Sequence, residues 1–85
     1  MAVTMNEQQR GILDIIAVLA NHSVTTSVRD SAVVQLTGLP AEEVYDYLNQ
    51  LEGLGYITIG VKARGADYRL TNMTWEGLSA SFSSK

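Results

Sequence analysis

The chain has 85 residues, 46% of them hydrophobic, and nine Asp and Glu against six Lys and Arg give a net charge of −3. This length fits one small domain, and the apolar content with so little charge excludes a disordered chain. The absence of cysteine excludes disulfides, thiolate metal sites and a cysteine nucleophile. No apolar run approaches the ~18 residues of a membrane-spanning helix, so we expect a cytoplasmic protein without a membrane partner.

The first predicted element is a helix over about residues 5–21. Thr4-Met5-Asn6-Glu7 has the pattern of a capping box, in which a hydroxyl and a carboxylate bind the free amides at a helix start. Apolar residues then recur at the spacing of one helix face: Ile12, Ile15, Ile16 and Leu19. This spacing predicts that the helix buries one side.

A short second helix and a longer third one are predicted next. A cap signal at Ser27 precedes the second helix, which ends at Gly38, where we expect a turn with positive φ. Its expected apolar stripe is Ala32, Val33 and Leu36. The third helix follows Pro40 and stops at Gly55. Its buried residues are expected to be Val44, Tyr47, Leu48 and Leu51, which leaves Tyr45 exposed.

After Gly55 the pattern predicts a β-hairpin. Two strands are predicted, at residues 56–59 and 66–70, from their β-branched and aromatic residues. In the second strand we expect Tyr68 and Leu70 to face the core. The turn between them carries Lys62 and Arg64, which makes a basic tip. Thr71 or Asn72 is expected to cap a short last helix. That helix is expected to close the core with Trp75, Leu78 and Phe82.

The order of these elements resembles that of the winged helix-turn-helix superfamily. Residues 28–39 look like its second helix and turn, which commonly ends in a similar Thr-Gly-Leu. Residues 44–57 resemble its third helix leading into the wing. Tyr68-Arg69-Leu70-Thr71 and Glu76-Gly77-Leu78 resemble its closing segment, with three additional residues between the two halves. The match covers about residues 6–80.

The resemblance implies a mainly α (α+β) fold: a three-helix core, a two-stranded hairpin wing and a short C-terminal helix. We expect one domain over residues 1–85, ordered from about 5 to 80 and frayed over 81–85. Such proteins most often bind duplex DNA, with the third helix in the major groove and the wing on the backbone. The expectation is therefore a DNA-binding transcriptional regulator. The residues expected to contact DNA are Arg29, Tyr45, Asp46, Asn49, Gln50, Lys62, Arg64 and Arg69.

The charge distribution keeps a second function open. Residues 41–55 contain four carboxylates and no Lys or Arg, so the third helix repels phosphate. The alternative is an interaction module whose acidic third helix binds a basic protein partner and no nucleic acid. A homodimer through the first helix with Trp75, Leu78 and Phe82 is a second interpretation of those apolar residues.

Enzyme chemistry has little support in the sequence. There is one histidine, and no carboxylate lies at metal-ligand spacing from it. Gly60 and Gly65 have the spacing of a phosphate-binding loop, but Ala66 and Asp67 stand where Lys and Ser or Thr are required. We therefore expect no catalytic residue, no metal and no cofactor.

Overall fold

The computed structural model describes residues 5–60, 62, 64, 65 and 68–82, with only the backbone of Phe82. Its elements in chain order are α1 (Glu7–Leu19), β1 (Val28–Arg29), α2 (Asp30–Thr37), α3 (Ala41–Gly53), β2 (Ile57–Ile59), β3 (Leu70–Met73) and α4 (Trp75–Phe82). The helices and the β2–β3 wing follow the predicted order. The mainly α winged helix-turn-helix architecture is therefore confirmed, with an additional strand.

Helix α1 begins later than predicted. Asn6 is its N-cap: the side chain of Asn6 accepts a hydrogen bond from the Gln9 amide at 2.8 Å. The Gln9 side-chain oxygen in turn accepts one from the Asn6 amide at 3.1 Å. This reciprocal pair satisfies two free amides, so the predicted box with Thr4 as cap is wrong. Thr4 itself lies outside the described residues.

The core lies where α1, α2 and α3 meet the sheet. Its largest fully buried side chains are Leu13, Ile16, Val33, Val44, Leu51, Ile57 and Thr71. Two predicted core residues of the first two helices are exposed instead: Leu36 is 60% exposed and Leu19 lies on the surface. Helix α2 has only eight residues, so Val33 is its one fully buried apolar side chain among the described residues.

The turn between α2 and α3 forms as predicted. Gly38 has a φ of 70°, in the left-handed region that penalises other residues. The predicted cap at Ser27 is wrong, because the Ser27 hydroxyl donates to Asn72 at 3.1 Å. Helix α2 begins three residues later at Asp30, and Arg29 occupies its N-cap without a side-chain cap bond.

The sheet has three antiparallel strands in the order β1–β3–β2. Strand β1 was not predicted. It pairs Val28 with Thr71 and Arg29 with Leu70, while β2 pairs Ile57 with Met73. The predicted second strand at 66–70 is wrong, since β3 covers Leu70–Met73; residues 66 and 67 lie outside the described residues.

This shift changes which side chains face the core. Thr71 and Met73 are buried, whereas Leu70 is 42% exposed. Successive residues of a strand point to opposite faces of the sheet. A prediction that is off by one residue therefore exchanges the side chains that face the core with those that face solvent. Because Thr71 and Asn72 lie in β3, they do not cap α4. The Thr74 hydroxyl does so, accepting a hydrogen bond from the Gly77 amide at 3.0 Å.

Trp75, Leu78 and Phe82 of α4 were predicted to close the core. Among those whose side chains are described, Leu78 alone does so. Leu78 is buried, but Trp75 is 72% exposed, so its predicted core role is wrong. The Ser81 hydroxyl donates to Asp14 of α1 at 3.0 Å and attaches the end of α4. The helix ends at Phe82, and residues 83–85 lie outside the described residues, so the domain bounds and the frayed tail stay predictions.

Gly77 allows α4 to approach the segment between α3 and β2 closely. A Cβ atom built on Gly77 would overlap the carbonyl oxygen of Tyr56. We therefore expect Gly77→Ala to lower the free energy of unfolding by about 1–3 kcal/mol, measured by urea denaturation. The matched control is Gly11→Ala, also in a helix but with open space around it. It should raise stability by about 0.5–1 kcal/mol. Equal effects of the two substitutions would contradict this packing.

Candidate nucleic-acid interface

A cleft of ≈ 220 Å³ separates α3 from the wing, the segment from β2 to β3. Its lining residues are Asp30, Tyr45, Leu48, Asn49, Ile59, Lys62, Tyr68 and Arg69. Four of them were predicted as DNA contacts: Tyr45 and Asn49 from α3, and Lys62 and Arg69 from the wing. The fold therefore brings together residues that are up to 24 positions apart in the sequence.

Helix α3 supplies one wall of this cleft. Val44 and Leu48 anchor the helix in the core, which turns Tyr45 and Asn49 toward the cleft one helical turn apart. Tyr45 is exposed and Tyr47 is partly buried, so the prediction that Tyr45 stays outside the core is confirmed. An aromatic ring and a carboxamide thus face the same space.

Two other predicted residues of α3 lie outside the cleft. The side-chain oxygen of Gln50 accepts a hydrogen bond of 2.6 Å from the Gln9 side chain of α1. Gln50 therefore connects α3 to α1 and does not line the cleft. Asp46 is exposed on the outer surface of α3 and does not line the cleft.

A carboxylate of α3 holds the outgoing arm of the wing. The Ile59 amide donates to the Glu52 carboxylate at 2.9 Å. One residue later, the Gly60 amide donates to the Leu70 carbonyl at 2.8 Å. Sequence reasoning assigned Glu52 only to the acidic charge of the helix. No local pattern indicates this contact, because it joins a helix to the strand after the turn.

The returning arm is held by the start of α2. The amide of Asp30 donates to the Arg69 carbonyl at 3.0 Å, and the Arg69 amide donates to the Asp30 carboxylate at 3.1 Å. Asp30 is only 6% exposed. Beside it, the Arg29 guanidinium lies over the ring of Tyr68, 4.5 Å from the ring centroid. Arg29 does not line the cleft.

The tip of the wing carries exposed cations. Lys62 and Arg64 are both exposed, and Lys62 faces the cleft. Gly65, with a φ of 79°, allows the chain to turn back beside Arg64. The interface thus combines cationic and amide donors with two tyrosine rings. Within the described residues, no three His, Cys, Asp or Glu are grouped to hold a metal ion.

The residues predicted for a homodimer are divided between core and surface. Leu78 is buried inside the protomer, whereas Trp75 is exposed. The side chain of Phe82 lies outside the described part of the chain. The homodimer stays a prediction. In the ranges the structure describes, no helix is long and apolar enough to cross a bilayer.

No protein-family model matches the chain, and no curated protein matches its sequence. Solved structures share its fold. S. aureus MepR in complex with DNA has a TM-score of 0.79 at 14% identity, over 95% of this chain and 56% of that one. A mutant of E. coli MarR complexed with operator DNA gives 0.76 at 13%, over 93% and 52%. The zinc-responsive MarR family member ZitR of Lactococcus lactis gives 0.73 at 16%, over 96% and 52%.

These likenesses confirm the winged helix-turn-helix fold that the sequence resemblance implied. The chain spans about half the length of each of these structures.

Removing the Glu52 carboxylate should loosen the outgoing arm of the wing. In Glu52→Ala the Ile59 amide loses its acceptor, so its hydrogen exchange should accelerate. The free energy of unfolding should fall by about 1 kcal/mol. Asp46→Ala is the control, an exposed acid of the same helix without a described contact to the wing. It should leave exchange at Ile59 unchanged. An Ile59 amide that exchanges at the wild-type rate in Glu52→Ala would contradict the contact.

Proposed function

We propose that the chain is a winged-helix DNA-binding protein, a transcriptional regulator and not an enzyme, that binds duplex DNA with α3 and the wing together. The observation that carries this proposal is the cleft, where Tyr45 and Asn49 of α3 face Lys62 and Arg69 of the wing. Two of the similar structures, the MepR complex and the MarR mutant complex, contain DNA. In this geometry α3 enters the major groove and the wing lies on the backbone.

The wing supplies the phosphate contacts. Lys62, Arg64 and Arg69 are exposed, and each cation that neutralises a phosphate releases a condensed counterion. The binding free energy gained from counterion release depends on salt concentration and not on base sequence. It provides affinity in any register and orients the protein on the duplex.

Helix α3 supplies the base contacts. The Asn49 carboxamide has the donor and acceptor needed to pair with adenine N7 and N6, and the Asp46 carboxylate can accept from cytosine N4. Tyr45 adds an aromatic ring and a hydroxyl beside Asn49. Gln50 has the same chemistry as Asn49, but it binds Gln9 in the free protein. To contact a base, Gln50 must exchange this partner for adenine.

The acidic surface of α3 favours the second candidate function, binding of a basic protein partner. Glu42, Glu43 and Asp46 are all exposed on α3, where they oppose phosphate. Glu42 and Glu43 lie in the first turn, where a negative charge also stabilises the helix dipole. If the chain binds a basic protein partner instead of DNA, these three carboxylates form the contact surface.

The wing cations can be tested by anisotropy of labelled mixed-sequence duplex DNA over a range of salt. Wild-type protein should bind at low salt, and the Lys62→Gln/Arg64→Gln double variant should bind more weakly to every sequence. Its slope of log K against log salt should be smaller by about 1.8, that is ~0.9 for each lost phosphate contact. Arg10→Gln, a charge change on α1, should keep the wild-type slope. No wild-type binding at low salt would contradict the proposal itself.

Substitutions on the acidic surface of α3 distinguish DNA binding from binding of a basic protein, because the two functions predict different effects. Glu42→Gln/Glu43→Gln removes two repulsive charges from residues without a proposed base contact, so DNA binding should strengthen several-fold at low salt and less at high salt. The control, Glu7→Gln/Glu76→Gln, removes two exposed acids from the starts of α1 and α4 and should change DNA binding less. If the first variant instead leaves DNA binding unchanged and abolishes binding of a lysine-rich peptide, the interaction module is supported and DNA binding is not.

A further inference from the structure

The contact between Arg29 and Tyr68 lies at the root of the wing. Arg29 belongs to β1 and pairs with Leu70, and its guanidinium covers the ring of Tyr68, two residues before Leu70. Tyr68 also lines the cleft, whereas Arg29 does not. Tyr68 therefore contacts both the guanidinium of Arg29 and the space where α3 meets the wing.

The orientation of the wing tip depends on contacts of this kind. Among the described residues, the last backbone bond between the two arms is that from Gly60 to Leu70. Lys62 and Arg64 lie beyond it. At Tyr68 and Arg69, the described residues just before β3, two neighbouring residues supply the side-chain contacts that the structure shows: Asp30 binds the Arg69 amide, and Arg29 covers Tyr68.

We propose that Arg29 is a positioning residue: it holds Tyr68, and through it the basic tip of the wing, and does not itself contact DNA. A guanidinium over the face of a tyrosine is attracted by the ring quadrupole, and its planar shape lets it stack flat on the ring. This assignment rests on the proposed DNA-binding function. It separates Arg29 from Lys62, Arg64 and Arg69, whose charges act on phosphate directly.

A double-mutant cycle on DNA binding distinguishes the two roles of Arg29. Arg29→Gln and Tyr68→Leu should each weaken DNA binding about two- to fivefold, although Tyr68 carries no charge. The double variant should bind no more weakly than either single one, because both remove the same contact. Tyr68→Phe keeps the ring that Arg29 covers, so it should weaken DNA binding less than Tyr68→Leu does. If Arg29 contacts phosphate, Arg29→Gln weakens binding, Tyr68→Leu does not, and the proposal is overturned.

A second measurement on the free protein needs no DNA. In the backbone amide spectrum, Arg29→Gln and Tyr68→Leu should shift the same wing signals: Gly60, Lys62, Arg64 and Gly65. Tyr68→Phe should leave them in place, and circular dichroism should show that all variants are folded. Unchanged wing signals in Arg29→Gln would overturn the positioning role. Shifted wing signals in a protein that binds no DNA would instead support the positioning of the wing and contradict the proposed function.

Discussion

Pairing of β1 with β3 is the constraint on which the arrangement of the helices and the wing depends. Only two residues, Val28 and Arg29, form this strand, yet they join the segment before α2 to the strand that returns from the wing. Thr71 is fully buried and donates its hydroxyl to the Val28 carbonyl at 2.9 Å. Asp30 extends the contact by two bonds to Arg69. The start of α2 is therefore attached to the wing, and the turn at Gly38 connects α2 to α3.

The carboxylates at this site have two different roles. Glu52 and Asp30 each accept a hydrogen bond from a backbone amide of the wing, one on each arm. These two carboxylates therefore hold the wing in place and satisfy amide donors that would otherwise lack an acceptor in the protein. Glu42, Glu43 and Asp46 remain exposed on α3. The exposed cations Lys62, Arg64 and Arg69 lie on the wing. Under the proposed function, a duplex is held mainly from the wing side, and the acids of α3 restrict how closely the helix approaches phosphate.

Local patterns in the sequence predicted the helices well, because apolar residues at helical spacing and glycines with positive φ are local signals. Gly38 and Gly55 both adopt the left-handed conformation expected of them. Strand β1 was not predicted because a strand of two residues is too short to show an alternation of apolar and polar side chains. The register of β3 was misjudged because alternation alone does not distinguish Tyr68 and Leu70 from Thr71 and Met73 as the inward pair. The contacts Gln9–Gln50 and Arg29–Tyr68 join distant segments and leave no pattern to detect.

The location of the binding surface is tested most directly by the backbone amide spectrum of the wild-type protein during titration with mixed-sequence duplex DNA at low salt. If DNA binds to α3 and the wing, the signals of Tyr45 and Asn49 of α3 and of Lys62 and Arg69 of the wing should shift, and these shifts should disappear as salt is raised. The amides of α1 and α4 should stay in place. A spectrum that does not change, or shifts confined to α1 and α4, would contradict the account.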